Sequence, residues 1–132
     1  MMTRSQTAEI WRYRTEGLAV IRWSQRGRME QREADIEQKE LRVARATGSL
    51  SYARRERAGV ETHDRRVISE LEDRLRIAED DLAVARQAYA DAQRRHLPRL
   101  RVMRARQGIL TRWITECQMQ WDAARDILEV IM

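Results

Sequence analysis

Small and apolar residues recur along the second half of this chain at alternating steps of three and four positions. The repeat runs through Ile68, Leu71, Leu75, Ala78, Leu82, Ala85, Tyr89, Ala92 and His96. The same count continues, with more polar members, through Arg99, Met103, Arg106, Leu110, Trp113, Cys117, Gln120, Ala124, Ile127 and Ile131. An average spacing of 3.5 residues is typical of a coiled coil, in which one face of an α-helix packs against a partner helix. The pattern therefore predicts a long helix that needs a partner.

The first half of the chain carries a leaner version of the same repeat. Ile10, Trp11, Leu18 and Ile21 form an apolar stripe, and Thr7 suits the N-cap of a helix that contains it. The repeat then continues at intervals of seven through Met29, Ile36, Val43 and Leu50. Arg32 and Lys39 occupy the intervening core positions, where their aliphatic stems would pack. This half is therefore the partner helix that we expect.

A turn signal separates the two repeats near the middle of the chain, from Ala58 to Asp64. Gly59 suits the C-terminal cap of one helix, and Thr62 or Asp64 suits the N-cap of the next. We therefore expect an all-α fold, a long antiparallel two-helix coiled-coil hairpin. Its arms would span about 7–58 and 65–131 with a turn at about 59–64, and residues 1–132 would form a single domain.

Two places weaken the predicted arms. The stretch from Ala46 to Ser49, which contains Gly48, suggests a hinge or a short break in the first arm. Pro98 lacks a backbone N–H and disfavours helical geometry at Leu97, so we expect a kink or a short break near 96–99. The alternative is that the chain folds back at Pro98 and forms a three- or four-helix bundle.

Composition and motifs exclude several classes of function. Charged residues make up 36% of the chain, aromatic residues 5%, and Phe is absent, which suits an elongated helical assembly better than a globular core. There is no apolar run that would span a membrane and no apolar core of a signal peptide, so we expect a cytoplasmic protein. No Gly-rich phosphate loop is present, and His63 and His96 lack metal-ligand spacing. Cys117 occupies a core position, which favours a structural thiol. We expect no catalytic residues, no metal site, no cofactor and no enzymatic activity.

An arginine-rich run in the second arm is the first candidate for partner binding. Its members are Arg94, Arg95, Arg99, Arg101, Arg104 and Arg106. No acidic residue lies between Asp91 and Glu116, and the spacing places Arg95, Arg99 and Arg106 roughly on one side of a helix. The run suits contact with phosphates or with an acidic protein. Alternatively, it is a solvated face that is balanced by acids of the first arm, such as Glu30, Glu33, Glu37 and Glu40.

Four tryptophans form the second candidate, since they are many for so polar a chain. Trp11 and Trp23 lie near one end of the sequence, and Trp113 and Trp121 lie near the other. A hairpin brings these ends together. The four rings would then form either a mutual aromatic clamp or an exposed anchor patch for a partner protein.

Two stretches also carry a family resemblance. The first arm contains Ile21-Arg22-Trp23-Ser24-Gln25 and, a little later, Glu30-Gln31-Arg32-Glu33-Ala34-Asp35-Ile36-Glu37-Gln38. These resemble the first arm of the InvI/SpaM proteins of type III secretion systems. Arg112-Trp113-Ile114, which follows the basic run, is similar to the corresponding part of the second arm. The wider group includes the YscO and flagellar FliJ stalk proteins, and the resemblance covers most of the chain.

The resemblance implies a non-enzymatic central stalk, similar to the γ subunit of rotary ATPases. Such a stalk sits in the pore of a hexameric secretion ATPase and reaches toward the export-gate protein at the inner membrane, and secretion chaperones are possible further partners. Its place would be in the cytoplasm, at the inner-membrane secretion apparatus. Two alternatives stay open, an arginine-rich helical protein that binds or coats nucleic acid and a plain self-associating coiled coil.

Overall fold

The computed structural model describes residues 3–131 of the chain, with side chains as far as Ile127. It contains two α-helices, α1 (Arg4–Ala58) and α2 (Arg65–Ile131), which pack against each other as an all-α hairpin. The described residues include no strand. The predicted all-α hairpin is therefore confirmed, and residues 59–64 lie between its two helices. The predicted seam position at Ile131 lies outside the described side chains.

Helix α1 begins earlier than predicted, because Thr3 caps it instead of Thr7. The Thr3 hydroxyl oxygen accepts a hydrogen bond from the Gln6 backbone N–H at 3.1 Å. The Gln6 side-chain carbonyl accepts one from the Thr3 N–H at 2.8 Å. This reciprocal pair is a capping box, and it satisfies two N–H groups that the first turn would otherwise leave free. The prediction missed the Thr-x-x-Gln spacing and placed the cap one turn too late.

The turn between the helices has the predicted limits. The Gly59 N–H donates to the Arg55 carbonyl oxygen at 3.0 Å, but Gly59 does not adopt the left-handed conformation expected of a glycine cap. Asp64 is the N-cap of α2, since its Oδ1 accepts the Arg66 N–H at 2.9 Å. The Thr62 hydroxyl oxygen accepts the Asp64 N–H at 3.1 Å and orders the residue that caps the helix.

At neither of the two weak places is the described helix interrupted, so the predicted short breaks do not occur. Helix α1 is continuous through Gly48, where the Thr47 hydroxyl donates to the Val43 carbonyl oxygen at 2.8 Å. Helix α2 is continuous through Pro98. A proline there removes one backbone hydrogen bond. Its neighbours on the same helix are well packed, since Leu100 is only 1% exposed and His96 only 8%. Within residues 3–131 the chain therefore forms two helices and does not fold back at Pro98.

The contacts divide the chain into two units. The turn unit comprises Arg32–Pro98, and the terminal unit comprises the residues up to Gln31 together with those from Arg99 onward. In the turn unit, large and small side chains alternate in the core. Its buried centre consists of Leu50, Ala53, Ala78 and Leu82, with Val43, Ala46 and Leu75 packed against them. Alternation of this kind lets two helices approach closely, and every predicted seam position of α2 from Ile68 to His96 is buried or half-buried.

In the terminal unit every second seam position of α2 differs from the prediction by one residue, whereas the positions between them are half-buried as predicted, namely Met103, Leu110, Cys117 and Ala124. The predicted members Arg99, Arg106, Trp113 and Gln120 are exposed. Their C-terminal neighbours are buried or half-buried in their place, namely Leu100, Gln107, Ile114 and Trp121. On α1 the predicted Ile21 is likewise 55% exposed, and its neighbour Arg22 is half-buried.

The cause is a change in the order of the steps in the burial repeat of α2. Two successive steps of four join Ala92, His96 and Leu100, and a step of three follows to Met103. A 4-4-3 sequence is an 11-residue repeat, which locally relaxes the winding that a strict heptad imposes. It spares the chain the burial of two charged guanidinium groups, at Arg99 and Arg106.

Candidate partner-binding surface

The turn unit contains a polar cluster in its seam, around His96. The His96 Nε2 lies 2.7 Å from Asp35 Oδ2, and its Nδ1 lies 3.1 Å from Arg32 Nη1. A guanidinium only donates, so Nδ1 accepts from Arg32 and Nε2–H donates to Asp35. This arrangement gives both ring nitrogens a hydrogen-bond partner in a side chain that is only 8% exposed. The cluster couples α1 to α2 through specific hydrogen bonds.

The Asp35 carboxylate of this cluster contacts both His96 and Lys39. The hydrogen bond from His96 lowers the pKa of the Asp35 carboxyl below its ordinary value, while partial burial acts in the opposite direction. The positive charge of Lys39, whose Nζ lies 3.7 Å from Oδ1, also lowers this pKa. The ionised form of Asp35 is therefore the one that the folded chain favours.

The terminal unit has its own polar link across the seam, at Gln107. Its side-chain Nε2 donates to the Arg22 carbonyl oxygen at 2.9 Å and to the Gln25 side-chain oxygen at 3.1 Å. Arg22 Nη1 in turn donates to the Thr111 hydroxyl oxygen at 3.5 Å. These contacts set which residues of α1 lie opposite which residues of α2 in this unit.

The arginine run is exposed throughout, but its members lie in both units. In the turn unit, Arg94 pairs with Asp91 one turn earlier on the same helix. Arg99, Arg101, Arg104 and Arg106 belong to the terminal unit. Within the described part of the chain, Arg95, Arg99, Arg101 and Arg106 form no ion pair. Most of the run is therefore available to an external anion.

Three of the four acids that the sequence offered as internal partners of this run, Glu30, Glu37 and Glu40, form no ion pair with it among the described residues. Glu30 pairs with Arg26 on its own helix, with Oε1 3.3 Å from Nε. Glu37 and Glu40 are exposed and form no ion pair among the residues that the structure describes. These three acids therefore do not neutralise the run.

The four tryptophans all lie in the terminal unit, in two environments. Trp11 and Trp121 are half-buried, with the guanidinium groups of Arg14 and Arg125 at 4.8 and 5.9 Å from their ring centroids. Trp23 and Trp113 are 77% and 51% exposed. Two of the four rings thus contribute to the seam, and two present large aromatic surfaces to solvent.

An open apolar groove runs between α1 and α2 in the terminal unit, and we refer to it as the Trp113 groove. Its volume is about 630 Å³. It is lined by Val20, Ile21, Ser24, Gln25, Arg28, Arg106, Ile109, Leu110 and Trp113. Five of these side chains are apolar, and the two charged ones are both arginines. A second cavity of about 400 Å³ shares Trp113 and is also lined by Trp11 and Cys117.

Two residues of this groove, Arg106 and Trp113, are among the partner-binding residues predicted from the sequence. The sequence pattern did not predict the groove itself. Ile21 and Leu110 were assigned to the seam, and Val20, Arg28 and Ile109 were not selected. A fresh count of threes and fours from Leu100 would have placed Ile109 and Trp113 beside the seam. Nothing local in the sequence indicates which residues of α1 form the opposite wall.

Other kinds of site are absent from the residues described. Within residues 3–127, no three His, Cys, Asp or Glu side chains lie close enough together to hold a metal ion. No helix in the described part of the chain has a stretch long and apolar enough to cross a membrane. Comparison with protein-family models, with curated proteins and with solved structures finds no match for the chain.

Proposed function

We propose that this chain is the non-enzymatic central stalk of a type III protein secretion system. It would couple the hexameric secretion ATPase to the export-gate protein, in the cytoplasm at the inner-membrane secretion apparatus. One observation carries the proposal. The two motifs on which the family resemblance rests, Ile21-Arg22-Trp23 and Arg112-Trp113-Ile114, lie on different helices of the terminal unit, and Arg22 donates a hydrogen bond to Thr111, the residue directly before the second motif.

The surface chemistry supports a coupling role. An exposed ion pair contributes only about 0–1 kcal/mol, because water screens the charges and long side chains lose entropy when they are held. Contacts made by exposed residues such as Arg99 and Arg101 can therefore form and break as a ring of ATPase subunits passes through its cycle. Tight apolar docking at the same positions would oppose that movement.

The experiment tests whether exposed arginines of α2 carry this contact. The variant Arg99→Glu/Arg101→Glu reverses two charges that form no ion pair in the described part of the chain. The matched control is Arg42→Glu/Arg45→Glu, at two exposed positions of α1 with the same change in net charge. The measurements are ATP hydrolysis by the secretion ATPase with each purified chain added, and secretion by cells that express it.

We expect the first variant to lose most of the stimulation of ATP hydrolysis and the control to retain it. Circular dichroism should show equal helix content for both variants, since all four positions are exposed. If the Arg99/Arg101 variant stimulates the ATPase and supports secretion as well as the natural chain does, the stalk proposal fails.

A helical protein that binds nucleic acid is the second candidate, and the unpaired arginines favour it. A protein that neutralises several phosphates loses affinity steeply as salt rises, with a log–log slope of about −0.9 per phosphate contact on duplex DNA. Duplex binding with such a slope, abolished by Arg99→Glu/Arg101→Glu, would support this function. Salt-insensitive or absent binding would leave the stalk as the better proposal.

A further inference from the structure

We propose that the Trp113 groove is the docking site for an acidic amphipathic helix of a partner protein. The inference concerns a surface of the isolated chain, and it does not depend on the stalk proposal. It rests on the exposure of the groove's apolar side chains, on the charge of its rim and on the register of α2.

The apolar floor of the groove is unusually open. Val20 and Ile21 on α1 are 65% and 55% exposed, and Ile109 and Trp113 on α2 are 44% and 51% exposed. Scattered exposed apolar residues are ordinary, but these four line one cavity, together with Leu110. A contiguous apolar patch rimmed by polar residues marks a contact surface. The centre of this patch is a tryptophan, a residue type that dominates the binding energy of many interfaces.

The shape of the groove suits a helix. Two packed helices leave a furrow between their ridges, and an amphipathic third helix can lay its apolar face into it at spacings of three and four residues. The side chains of α2 that face this furrow follow the same spacing. Arg106, Ile109 and Trp113 line the groove at steps of three and four. Arg99 and Val102 continue the same spacing toward the start of α2, and all five residues are exposed.

The charge of the rim decides which helix fits. Arg28 and Arg106 line the groove from opposite helices, and neither forms an ion pair within the described residues. Arg99 lies on the same face of α2, two turns before Arg106. No acidic side chain lines the groove in the part of the chain that the structure describes. A helix with Glu or Asp beside its apolar stripe would pair with these guanidinium groups, which bind carboxylates in a bidentate manner.

The same charges argue against a second copy of this chain as the occupant. A two-fold interface places the same patch of both subunits together. Arg28 and Arg106 of one copy would then meet Arg28 and Arg106 of the other, with no acid in the groove between them. A nucleic acid duplex is also a poor fit, because the floor between the arginines is apolar and offers nothing to the sugar–phosphate backbone.

The groove exists because of the 11-residue step in α2. A strict heptad would have placed Arg99, Arg106 and Trp113 in the seam, as the sequence pattern predicted. The 4-4-3 step brings Leu100, Gln107 and Ile114 into the seam in their place and leaves Trp113 half exposed beside it. One change of register therefore supplies both the apolar floor and the basic rim of the groove on α2.

The test uses the full chain with Trp11, Trp23 and Trp121 replaced by Phe, so that Trp113 is the only fluorophore of its kind. The probe is a helical peptide of about 18 residues, or five turns, with Leu at steps of three and four, Glu on both sides of this stripe and Ala elsewhere. One control peptide carries Lys in place of Glu, and another carries Ser in place of Leu. Binding is followed by the emission of Trp113, which shifts to shorter wavelength when its ring leaves water.

We expect the Glu–Leu peptide to shift the emission and the two control peptides not to do so. In the chain, Val20→Ser/Ile109→Ser should weaken binding by about tenfold or more, since it removes the apolar contacts. The matched control Ile77→Ser/Val84→Ser, at exposed positions of the turn unit, should leave binding unchanged. The charge-swapped variant Arg28→Glu/Arg106→Glu should no longer bind the Glu–Leu peptide. It should instead bind the control peptide that carries Lys in place of Glu.

The gain of binding by the charge-swapped variant separates docking from damage to the fold, because a misfolded chain would bind neither peptide. Failure of the Glu–Leu peptide to shift Trp113, or equal binding of the Glu and Lys peptides, would overturn the proposal. The proposal would also be overturned if sedimentation showed that the natural chain is a dimer and that Val20→Ser/Ile109→Ser is a monomer. The occupant of the groove would then be a second copy of this chain. None of these measurements involves the ATPase, so their outcome is separate from that of the stalk experiment.

Discussion

At the scale of single residues, burial is concentrated in a few side chains. Leu100 is 1% exposed and is the most fully buried large side chain of the described residues, and Ala85 is completely buried. The polar residue His96 is nearly as buried, and Asp35 and Arg32 satisfy both of its ring nitrogens. These few positions determine how α1 and α2 face each other within each unit.

We expect Leu100→Ala to lower the free energy of unfolding by about 2–5 kcal/mol, because it removes a buried side chain and leaves a cavity. Leu97→Ala is the matched control, since Leu97 lies one turn away on α2 and is 42% exposed. Urea denaturation of the two variants measures both values. Equal losses would show that Leu100 is not the seam residue of this turn.

We expect Asp35 to make stability depend on pH in the acidic range. The pKa of its carboxyl is lowered in the folded chain, chiefly by the hydrogen bond from His96, so folding favours the ionised form. This contribution is complete above the ordinary pKa of an aspartate, about 3.9, and it is lost as the pH falls through the lowered value. The stability difference between the natural chain and Asp35→Asn should therefore shrink on acidification. A difference that stays constant or grows would refute this assignment.

At the scale of the helices, the N-cap of α2 and the proline in its middle each affect the stability of that helix. Asp64 caps α2 through its contact with the Arg66 N–H. We expect Asp64→Ala to cost about 1 kcal/mol of stability, because one helix N–H then loses its acceptor. Glu61→Ala is the control from the same turn, with an exposed side chain and an expected change of less than about 0.5 kcal/mol. Thermal denaturation followed by circular dichroism distinguishes the two values.

Substitution of Pro98 tests whether the missing backbone hydrogen bond lowers the stability of the middle of α2. Pro98→Ala restores the N–H that would bond to the Arg94 carbonyl oxygen, so we expect it to raise stability by up to about 3 kcal/mol. The converse variant, Ala83→Pro at an exposed position of the same helix, should lower stability by about 3 kcal/mol or more. A loss of stability in Pro98→Ala would mean that the 4-4-3 step itself requires the proline.

At the scale of the whole molecule, the two units differ in the content of their seams. The turn unit packs Leu against Ala around Leu50, Ala78 and Leu82. The terminal unit carries Arg22, Gln25 and Gln107 in its seam and exposes apolar side chains beside it. Polar seam residues make the pairing of the two helices specific, but they bury less apolar surface than aliphatic residues do. Burial of apolar surface is the main contribution to the stability of the fold.

Hydrogen exchange should report this difference. We expect backbone amides of 43–53 and 71–85 to exchange more slowly than those of 15–29 and 103–117, since local opening costs less where fewer apolar contacts are lost. Mass spectrometry of exchanged peptides measures both sets in one sample. Equal protection in the two units would show that the polar links at Gln107 contribute as much as the aliphatic core does.

The sequence alone determined the hairpin, because the determinants of its elements are local. The spacing of threes and fours sets the helical period, Gly59 directly follows the last residue of α1, and Asp64 is the N-cap of α2. The seam of α2 as far as His96 was also predictable, since every member is apolar or weakly polar. Thr3 was predictable in principle from the Thr-x-x-Gln spacing, although the capping residue was placed at Thr7.

Only the tertiary structure decided the register beyond Pro98 and the partners across the seam. Both Arg99 and Leu100 continue a pattern of threes and fours, and burying Leu100 prevails because a buried guanidinium would lose its hydration. That choice rotates Trp113 outward and forms the groove. The contacts of His96 with Asp35 and of Gln107 with Gln25 join residues more than 60 positions apart, and they depend on how two helices meet. A local pattern specifies which face of a helix is apolar, whereas only packing specifies what lies opposite it.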